Sequence, residues 1–255
     1  MSRLRIASTD DPNALPRPGT PPGPITAVGV AVPARDEADG IGRCLASILV
    51  ALEAVAAETV VCVVLDRCTD RSAEIVATLA RDHPSVVGLS RRGPATVGQV
   101  RNRGVRRVRQ LLGRHPASGT WLLSTDADTT VSPGWVRDHL AHAAAGAHAV
   151  AGLADLDDPT GLSADARDAY ARILSEGTRR DGHTHVYGAN LGIRADVFDT
   201  VGGFPSLPHG EDHGLITRVR EHGFQVTTAL NGRVRTSART GGRAPGGLAD
   251  LLADL

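Results

Sequence analysis

The sequence predicts an α/β fold in which one mostly parallel, doubly wound sheet is flanked by helices in a single domain. Between residues 25 and 125, short apolar or β-branched runs alternate with segments whose apolar residues recur at helical spacing. Strands joined by helices in this way run parallel, with right-handed crossovers. The chain has 255 residues, 41% of them hydrophobic, which is enough for one large core.

The regular pattern starts after a proline-rich leader. Residues 1–24 carry six prolines among polar residues, a composition that favours extended chain, so we expect this leader to be disordered. The strands expected after it cover residues 25–32, 59–65, 86–89 and 121–125. The helices expected between them place apolar residues on one face within residues 41–55, 75–79 and 97–111.

Alternation continues past the fourth strand and then fades. Ser132 followed by Pro133 predicts an N-cap and a proline at the first helical position, and hence a helix through Leu140. A strand is expected at residues 147–153 and a helix at residues 163–177.

The last third of the chain is less regular. Residues 182–192 are rich in Gly, His and Asn, which favours a loop over a site rather than core. The last clear helix is expected from Glu211 to His222, with Gly223 directly after its end. Residues 237–255 are rich in Gly and Arg and are expected to be flexible.

Charge and cysteine content narrow the classes of partner. Basic and acidic residues both number 28, so no overall charge draws the chain to nucleic acid or to an acidic membrane. The three cysteines show no metal-ligand spacing, and their odd number favours a reducing compartment. There is no apolar run of membrane-spanning length and no signal peptide, so we expect a cytoplasmic protein without a transmembrane segment.

Acidic residues follow several of these strands. Asp66 ends the second, and Asp126-Ala127-Asp128 follows the fourth. Ligands in open α/β sheets bind beyond the carboxyl ends of strands, so these carboxylates are expected to meet in one crevice. Carboxylates suit Mg²⁺ or Mn²⁺ shared with substrate phosphates. The alternative is that Asp126 and Asp128 cap backbone amides in a turn.

Seven segments, in this order, carry a resemblance. They are Val32 to Glu37, Val63 to Asp70, Gly98 to Gly104, Asp126 to Asp128, Gly188 to Arg194, Val201 to Phe204 and Glu211 with Asp212. From about residue 28 to 223 the chain resembles the family 2 glycosyltransferases of the GT-A fold. The resemblance implies an inverting enzyme that uses a nucleotide-sugar donor. It divides the domain into a donor half at about 25–130 and an acceptor half at about 131–236.

The resemblance assigns donor binding to six residues: Pro33, Arg35, Glu37, Asp66, Arg101 and Asp126. Asp66 would accept a hydrogen bond from the base imide, which suits uracil, although guanine also offers a ring N–H. Arg101 would contact the diphosphate; the alternative is a solvated arginine on a helix face.

The resemblance also implies a metal site. Asp128 would bind Mg²⁺ or Mn²⁺, and Asp126 would bind the metal or the ribose. Many members of the family place a further histidine ligand on a later strand, but none stands near Thr236 here. His209 and His213 are not assigned to the metal, since a lone histidine is more often structural.

The acceptor half contains the implied catalytic base. Asp212 would take the proton of the attacking hydroxyl, and Asn190 and Glu211 would bind the acceptor, a small molecule or a lipid-linked sugar. Alternatively, Glu211 and Asp212 only stabilise the start of their helix through its dipole.

Two other functions compete with glycosyl transfer from a UDP-sugar. A sugar-phosphate nucleotidylyltransferase would show a Gly-rich loop after the first strand, and residues 33–38 are not Gly-rich. A GT-A-like binding domain without catalysis is the second.

Processive polymer synthesis is not expected, because the Gln-x-x-Arg-Trp signature is absent. The segment 237–255 is either a lid that closes Arg239 or Arg243 over the diphosphate or a solvated tail.

Overall fold

The structure, a computed structural model, describes residues 23–242 and 247–255. Its strands are β1 Ala27–Ala34, β2 Glu58–Asp66, β3 Val86–Arg91, β4 Thr120–Ser124, β5 Thr129–Val131, β6 Ala149–Asp157, β7 Thr178–Arg179, β8 Gly182–His183, β9 Leu191–Arg194 and β10 Val226–Ser237. Its helices are α1 Ile41–Glu53, α2 Ser72–Asp82, α3 Val97–Leu111, α4 Trp135–Ala144, α5 Ala164–Glu176, α6 Ala195–Thr200, α7 Glu211–Glu221 and α8 Leu248–Asp254.

Eight strands form the main sheet, in the order β3-β2-β1-β4-β9-β6-β10-β5. The pairs β2 with β3, β1 with β2, β1 with β4 and β6 with β10 are parallel. β9 runs antiparallel between β4 and β6, and β5 runs antiparallel to β10. The predicted mostly parallel sheet is confirmed, and its antiparallel members lie in the second half of the chain.

Helices cover both faces of the sheet. Alternate residues of β1 and β2 point to opposite faces, as expected for strands buried on both sides. On one face Val30 and Val63 pack with α1, α2 and α4. On the other face Ala31 and Val64 pack with α3, α6 and α7. The predicted doubly wound arrangement is therefore confirmed.

Glycine permits the close approach of α3 to the sheet. A Cβ on Gly29 of β1 would overlap the Val108 side chain, and one on Gly104 of α3 would lie 3.0 Å from the Ala31 Cβ. Because interiors are close-packed, larger residues there would push α3 away from β1. The register of α3 on the sheet sets the position of the side chains at its start.

Most predicted elements lie within one or two residues of the observed ones. The helix predicted to begin with a Ser132 cap instead starts at Trp135, after Gly134, without a side-chain cap. Its first turn is held by the Trp135 amide, which donates to the Ser132 carbonyl at 3.0 Å. The leader that the sequence predicts to be disordered falls, apart from residues 23 and 24, outside the described residues.

The segment 182–192 is more than a loop. Its end forms β9, a buried strand at the centre of the sheet, which the sequence analysis missed. Gly192 is required there, because a Cβ would overlap the imidazole of His139 and lie 2.6 Å from the Trp121 indole nitrogen. A four-residue strand buried on both faces has no alternation of polar and apolar residues to reveal it.

The C-terminal residues form a helix. α8 buries Leu252 against α5, next to Ala166 and Tyr170. The expected flexible segment therefore contains an ordered element in the part that the structure describes. No helix among the described residues is long and apolar enough to cross a membrane.

Asn190 lies in the core and not against an acceptor. Its side chain is fully buried, and Oδ1 accepts hydrogen bonds from Trp135 Nε1 at 2.9 Å and His139 Nε2 at 3.1 Å. Nδ2 donates to the carbonyls of Leu153 and Gly232 at 2.8 and 2.9 Å. Burial lowers the pKa of His139 to about 4, which leaves its ring neutral.

The amide of Asn190 thus makes all four of its possible hydrogen bonds inside the protein. It joins α4 to β6, β9 and β10. The prediction that Asn190 binds the acceptor is therefore corrected: a side chain without exposed surface or spare hydrogen bonds cannot contact a ligand.

We predict that Asn190→Ala lowers the free energy of unfolding by about 2 to 4 kcal/mol, because it leaves several buried polar groups without partners. Urea denaturation followed by circular dichroism measures this. Asn231→Ala, which changes an exposed asparagine next to β10 Gly232, is the control and should change stability by less than about 0.5 kcal/mol. Equal effects of the two changes would contradict the structural role.

Candidate active site

One cavity of about 670 Å³ lies at the carboxyl ends of the parallel strands. The predicted site residues that line it are Pro33, Arg35, Glu37, Asp66, Arg101, Asp126, Asp128, Glu211 and Asp212. These residues come from five parts of the chain, so the structure brings together what the sequence predicted to converge. Asn190 is absent from the lining, although its neighbours Gly188 and Ala189 contribute to it.

The side chain of Arg101 lies under the cavity and joins its two halves. Its guanidinium donates to Ser124 Oγ at 2.7 Å and to Asp126 Oδ1 at 2.6 Å, at the end of β4. It also donates to Glu211 Oε1 at 3.1 Å, at the start of α7. Burial opposes the charged form, but Asp126, Glu211 and Asp212 raise the pKa of Arg101 overall.

Local structure fixes this arginine. α3 begins with a capping box, in which the Thr96 and Gln99 side chains bond each other's backbone amides, so the first turn is held in place. Arg101 follows in the second turn. A Cβ on Gly188 would lie 2.5 Å from Arg101 Nη2, so that position needs glycine for the guanidinium to reach Asp126.

The alternative of a solvated Arg101 is wrong, because the residue is 3% exposed and donates to three protein oxygens. Contact with a diphosphate stays a prediction, since Arg101 lines the cavity. We assign Arg101 as a positioning residue that orients Asp126 and Glu211.

The two acidic residues that open α7 have different surroundings. Glu211 is buried against Arg101, and burial raises the pKa of its carboxyl. Asp212 is partly exposed in the cavity, where Oδ2 accepts from the Gly188 amide and Oδ1 from the His213 amide, both at 2.8 Å. Because each carboxylate oxygen has two acceptor directions, Asp212 can still accept a proton from the cavity.

The Asp126 and Asp128 side chains both reach the cavity, with exposures of 35% and 16%. Asp126 is held by Arg101. Burial and the charges of Asp126 and Glu37 raise the pKa of Asp128 to about 6, against the opposing effect of Arg239. This part of the cavity therefore holds more negative charge than its surroundings neutralise.

Arg239 bridges two of these acids. It donates to both carboxylate oxygens of Glu37, at 2.9 and 2.8 Å, and its Nη2 lies 3.0 Å from Asp128 Oδ2. The sequence analysis identified Glu37 and Arg239 separately but not as a pair. No local signal could join them, because they are 202 residues apart.

The residues present fit a divalent cation of the Mg²⁺ or Mn²⁺ type. Asp126 and Asp128 offer hard carboxylate oxygens, and the Thr236 hydroxyl lies 3.5 Å from Asp128 Oδ1. In the described ranges, neither carboxylate belongs to a preformed cluster of three acidic, His or Cys ligand atoms; the cluster found, Asp36, Cys68 and Asp70, lies outside the cavity lining.

Asp36 belongs to a turn. Its Oδ1 accepts from the Thr69 amide at 2.6 Å and the Asp70 amide at 3.3 Å, and its φ is 52°. These bonds tie the loop after β1 to the loop after β2. They set the spacing between the loop that carries Glu37 and the end of β2, where Asp66 lies.

Asp66 is held at the other end of the cavity. Its carboxylate lies 2.5 Å from Arg91 Nη1 and 3.3 Å from Arg67 Nη2. Arg91 also donates to the carbonyls of Gly93 and Pro94. The sequence analysis missed Arg91. The one feature that could have indicated its contact with Asp66 was its position at the end of β3, the strand next to β2.

Comparison with known proteins agrees with this geometry. A family model described as "Glycosyltransferase like family 2" matches residues 22–244. No curated protein matches the chain in sequence.

Solved structures with a similar fold include three glycosyltransferase-like chains. S. aureus TarS 1-349 in complex with UDP-GlcNAc has a TM-score of 0.63 at 15% identity, over 87% of this chain and 61% of that one. The mannosyltransferase PcManGT from Pyrobaculum calidifontis, with GDP-Man and Mn²⁺, has a TM-score of 0.63 at 18% identity, over 93% and 72%. GalNAc-T7, with UDP, GalNAc and Mn²⁺, has 0.60 at 12%, over 84% and 44%.

At these low identities, the structural similarity shows a shared fold. The chain spans about 61% of the length of TarS 1-349, so that protein contains further structure beyond the shared part.

We predict that Arg101→Met lowers the free energy of unfolding by about 3 to 5 kcal/mol, because it leaves Glu211 buried without its ionic partner. Urea denaturation at neutral pH measures the change. Arg103→Met, an exposed arginine on the same helix, is the matched control and should change stability by less than about 0.5 kcal/mol. A loss as small as that of the control would show that Arg101 does not organise the site.

Proposed function

This chain belongs to the glycosyltransferase-like family 2, and on that basis we propose that it transfers a sugar from a nucleotide-diphosphate sugar, a UDP-sugar, to an acceptor hydroxyl. The observation that carries the proposal is the meeting of Asp66, Asp126, Asp128 and Asp212 in one cavity at the carboxyl edge of the sheet. Transfer to a single acceptor, without processive extension, is part of the proposal.

The donor half of the cavity has the groups that a nucleotide requires. Asp66 can accept a hydrogen bond from a base N–H, and its oxygens keep acceptor capacity beyond the two arginines that hold it. Pro33, Arg35 and Glu37 line the same end. Structures of the same fold hold UDP-GlcNAc and GDP-Man, which supports a nucleoside-diphosphate sugar but leaves uracil as our proposal.

Asp128 and Asp126 are the proposed ligands of Mg²⁺ or Mn²⁺. When bound, such an ion supplies positive charge beside the leaving diphosphate. Asp126 is oriented for this role by Arg101, and Asp128 by its place between Arg239 and Thr236. Two structures of the same fold contain Mn²⁺.

Asp212 is the proposed catalytic base. The acceptor hydroxyl loses its proton as it attacks the anomeric carbon, and a carboxylate that reaches the cavity can take it. The Gly188 and His213 amides fix the orientation of Asp212. Direct attack from the face opposite the diphosphate inverts the anomeric centre. Glu211 is adjacent but committed to Arg101, so we propose that it shapes the acceptor side.

The C-terminal segment is proposed to act as a lid. Gly242, Leu248 and Leu251 line the cavity. The Arg239 guanidinium contacts Asp128 inside it. A closed lid excludes water and so limits hydrolysis of the donor. Arg243 lies outside the described residues. The division into donor and acceptor halves and the cytoplasmic location stay predictions.

We predict that a UDP-sugar with Mn²⁺ raises the melting temperature of the full chain, because a ligand that binds only the folded state stabilises it. Thermal-shift measurements should compare UDP-, GDP- and dTDP-sugars with and without Mn²⁺. At a ligand concentration of about 100 times Kd the expected stabilisation is about 2.7 kcal/mol. The absence of any shift with every nucleotide would contradict the proposed function.

We predict that Asp212→Asn keeps donor binding but lowers the rate of transfer by about 10² to 10⁴-fold, as expected for loss of a general base. The donor thermal shift and the release of nucleoside diphosphate measure the two effects. Asp165→Asn, an exposed acid in the first turn of α5, controls for loss of a helix-dipole contact. Unchanged transfer by Asp212→Asn would remove this residue from the base role.

A further inference from the structure

The guanidinium of Arg239 occupies the position between Glu37 and Asp128. We propose that Arg239 is an internal cation that holds the metal site closed, and that a divalent ion binds Asp128 only by displacing it. This inference deepens the proposed function and rests on it for the identity of the metal. It concerns neither the family's general use of a metal nor the lid over the donor.

The carboxylates around Arg239 require a cation. Glu37 and Asp128 are both largely buried, and Asp126 adds a third carboxylate nearby. Buried acids of the same sign repel one another and lose hydration, so a cation is needed among them. Arg239 supplies that charge in the described structure.

Arg239 lies where it contacts Glu37 and Asp128 at the same time. The planar guanidinium binds Glu37 through two parallel hydrogen bonds and lies 3.0 Å from Asp128 Oδ2. Such a bidentate pair is among the stronger charged contacts. A cation on the same oxygen of Asp128 would face the positive charge of Arg239 at close range. Because the two positive charges would repel each other at this range, we infer that the ion takes the place of the guanidinium.

Arg239 is placed so that its side chain can move away from Asp128. β10 ends at Ser237, so Arg239 lies two residues beyond the strand and its movement breaks no strand pairing. Its side chain is 31% exposed. After displacement the guanidinium stays at the cavity, where it can meet the diphosphate that arrives with the metal. The position of the Arg239 side chain would therefore depend on whether metal and donor are bound.

Mn²⁺ binding tests this without measuring transfer. Titration of the full chain with Mn²⁺ alone, followed by the electron paramagnetic resonance signal of the free ion, gives Kd. We expect Arg239→Gln to bind Mn²⁺ about tenfold more tightly than the wild type, because the competing charge is gone. Arg239→Lys keeps the charge and should stay within about threefold of the wild type.

Arg235→Gln is the matched control. Arg235 is an exposed arginine on β10 four residues earlier, and its loss removes the same charge outside the carboxylate cluster. It should leave Kd unchanged. Asp128→Asn added to Arg239→Gln should abolish the gain, which places the ion on Asp128.

Equal or weaker Mn²⁺ binding by Arg239→Gln, or no binding at all, would overturn the inference, since removal of the competitor must expose the site. A gain equal to that of Arg235→Gln would overturn it too, because the effect would then be general charge. Tighter binding by Arg239→Gln without stabilisation by any nucleotide would support the role of Arg239 while the proposed sugar transfer failed.

Discussion

Arg101 places a full positive charge in the interior of the protein, and the positions of the surrounding side chains follow from the need to neutralise it. A buried guanidinium is stable only when its desolvation is offset by charged partners with good geometry. Asp126 from the β4 end and Glu211 from α7 provide these partners, and Ser124 accepts a third bond. The same contacts that make the charge tolerable fix two acids of the cavity.

Small residues make the approach of these elements possible. A Cβ on Gly98 would overlap the Pro205 carbonyl and lie 3.1 Å from the Glu211 Cβ, and one on Gly188 would reach Arg101. Asn102, the neighbour of Arg101, exchanges two hydrogen bonds with the backbone of Phe204, at 2.8 and 3.0 Å. Adjacent residues of α3 therefore hold both the loop before α7 and the first residue of α7. The end of β4 and the start of α7 keep their relative position through this one helix turn.

The amino-acid sequence predicts the βαβ units well because their signal is local. β1 and β2 are long apolar runs, and α1 and α3 repeat apolar residues at helical spacing, so neighbouring residues are enough to identify them. β9 has neither property, and α6 is only six residues long, so both were missed. The acids of the cavity were found because they follow strands. The core position of Asn190 and the ion-pair partners of Arg101 were not predicted, because those partners lie 23 to 110 residues away and a residue type does not specify a distant partner.

The acids of the cavity differ in whether an arginine lies within ion-pair distance of them. Asp66, Asp126, Asp128, Glu37 and Glu211 each lie within ion-pair distance of an arginine. In the described part of the chain Asp212 has no such partner, and its oxygens accept from backbone amides. An arginine that pairs with a carboxylate occupies acceptor directions on its oxygens and fixes its orientation. Among these acids we therefore place the proposed base for an acceptor hydroxyl at Asp212, while the arginine-paired acids are held in fixed positions around the cavity.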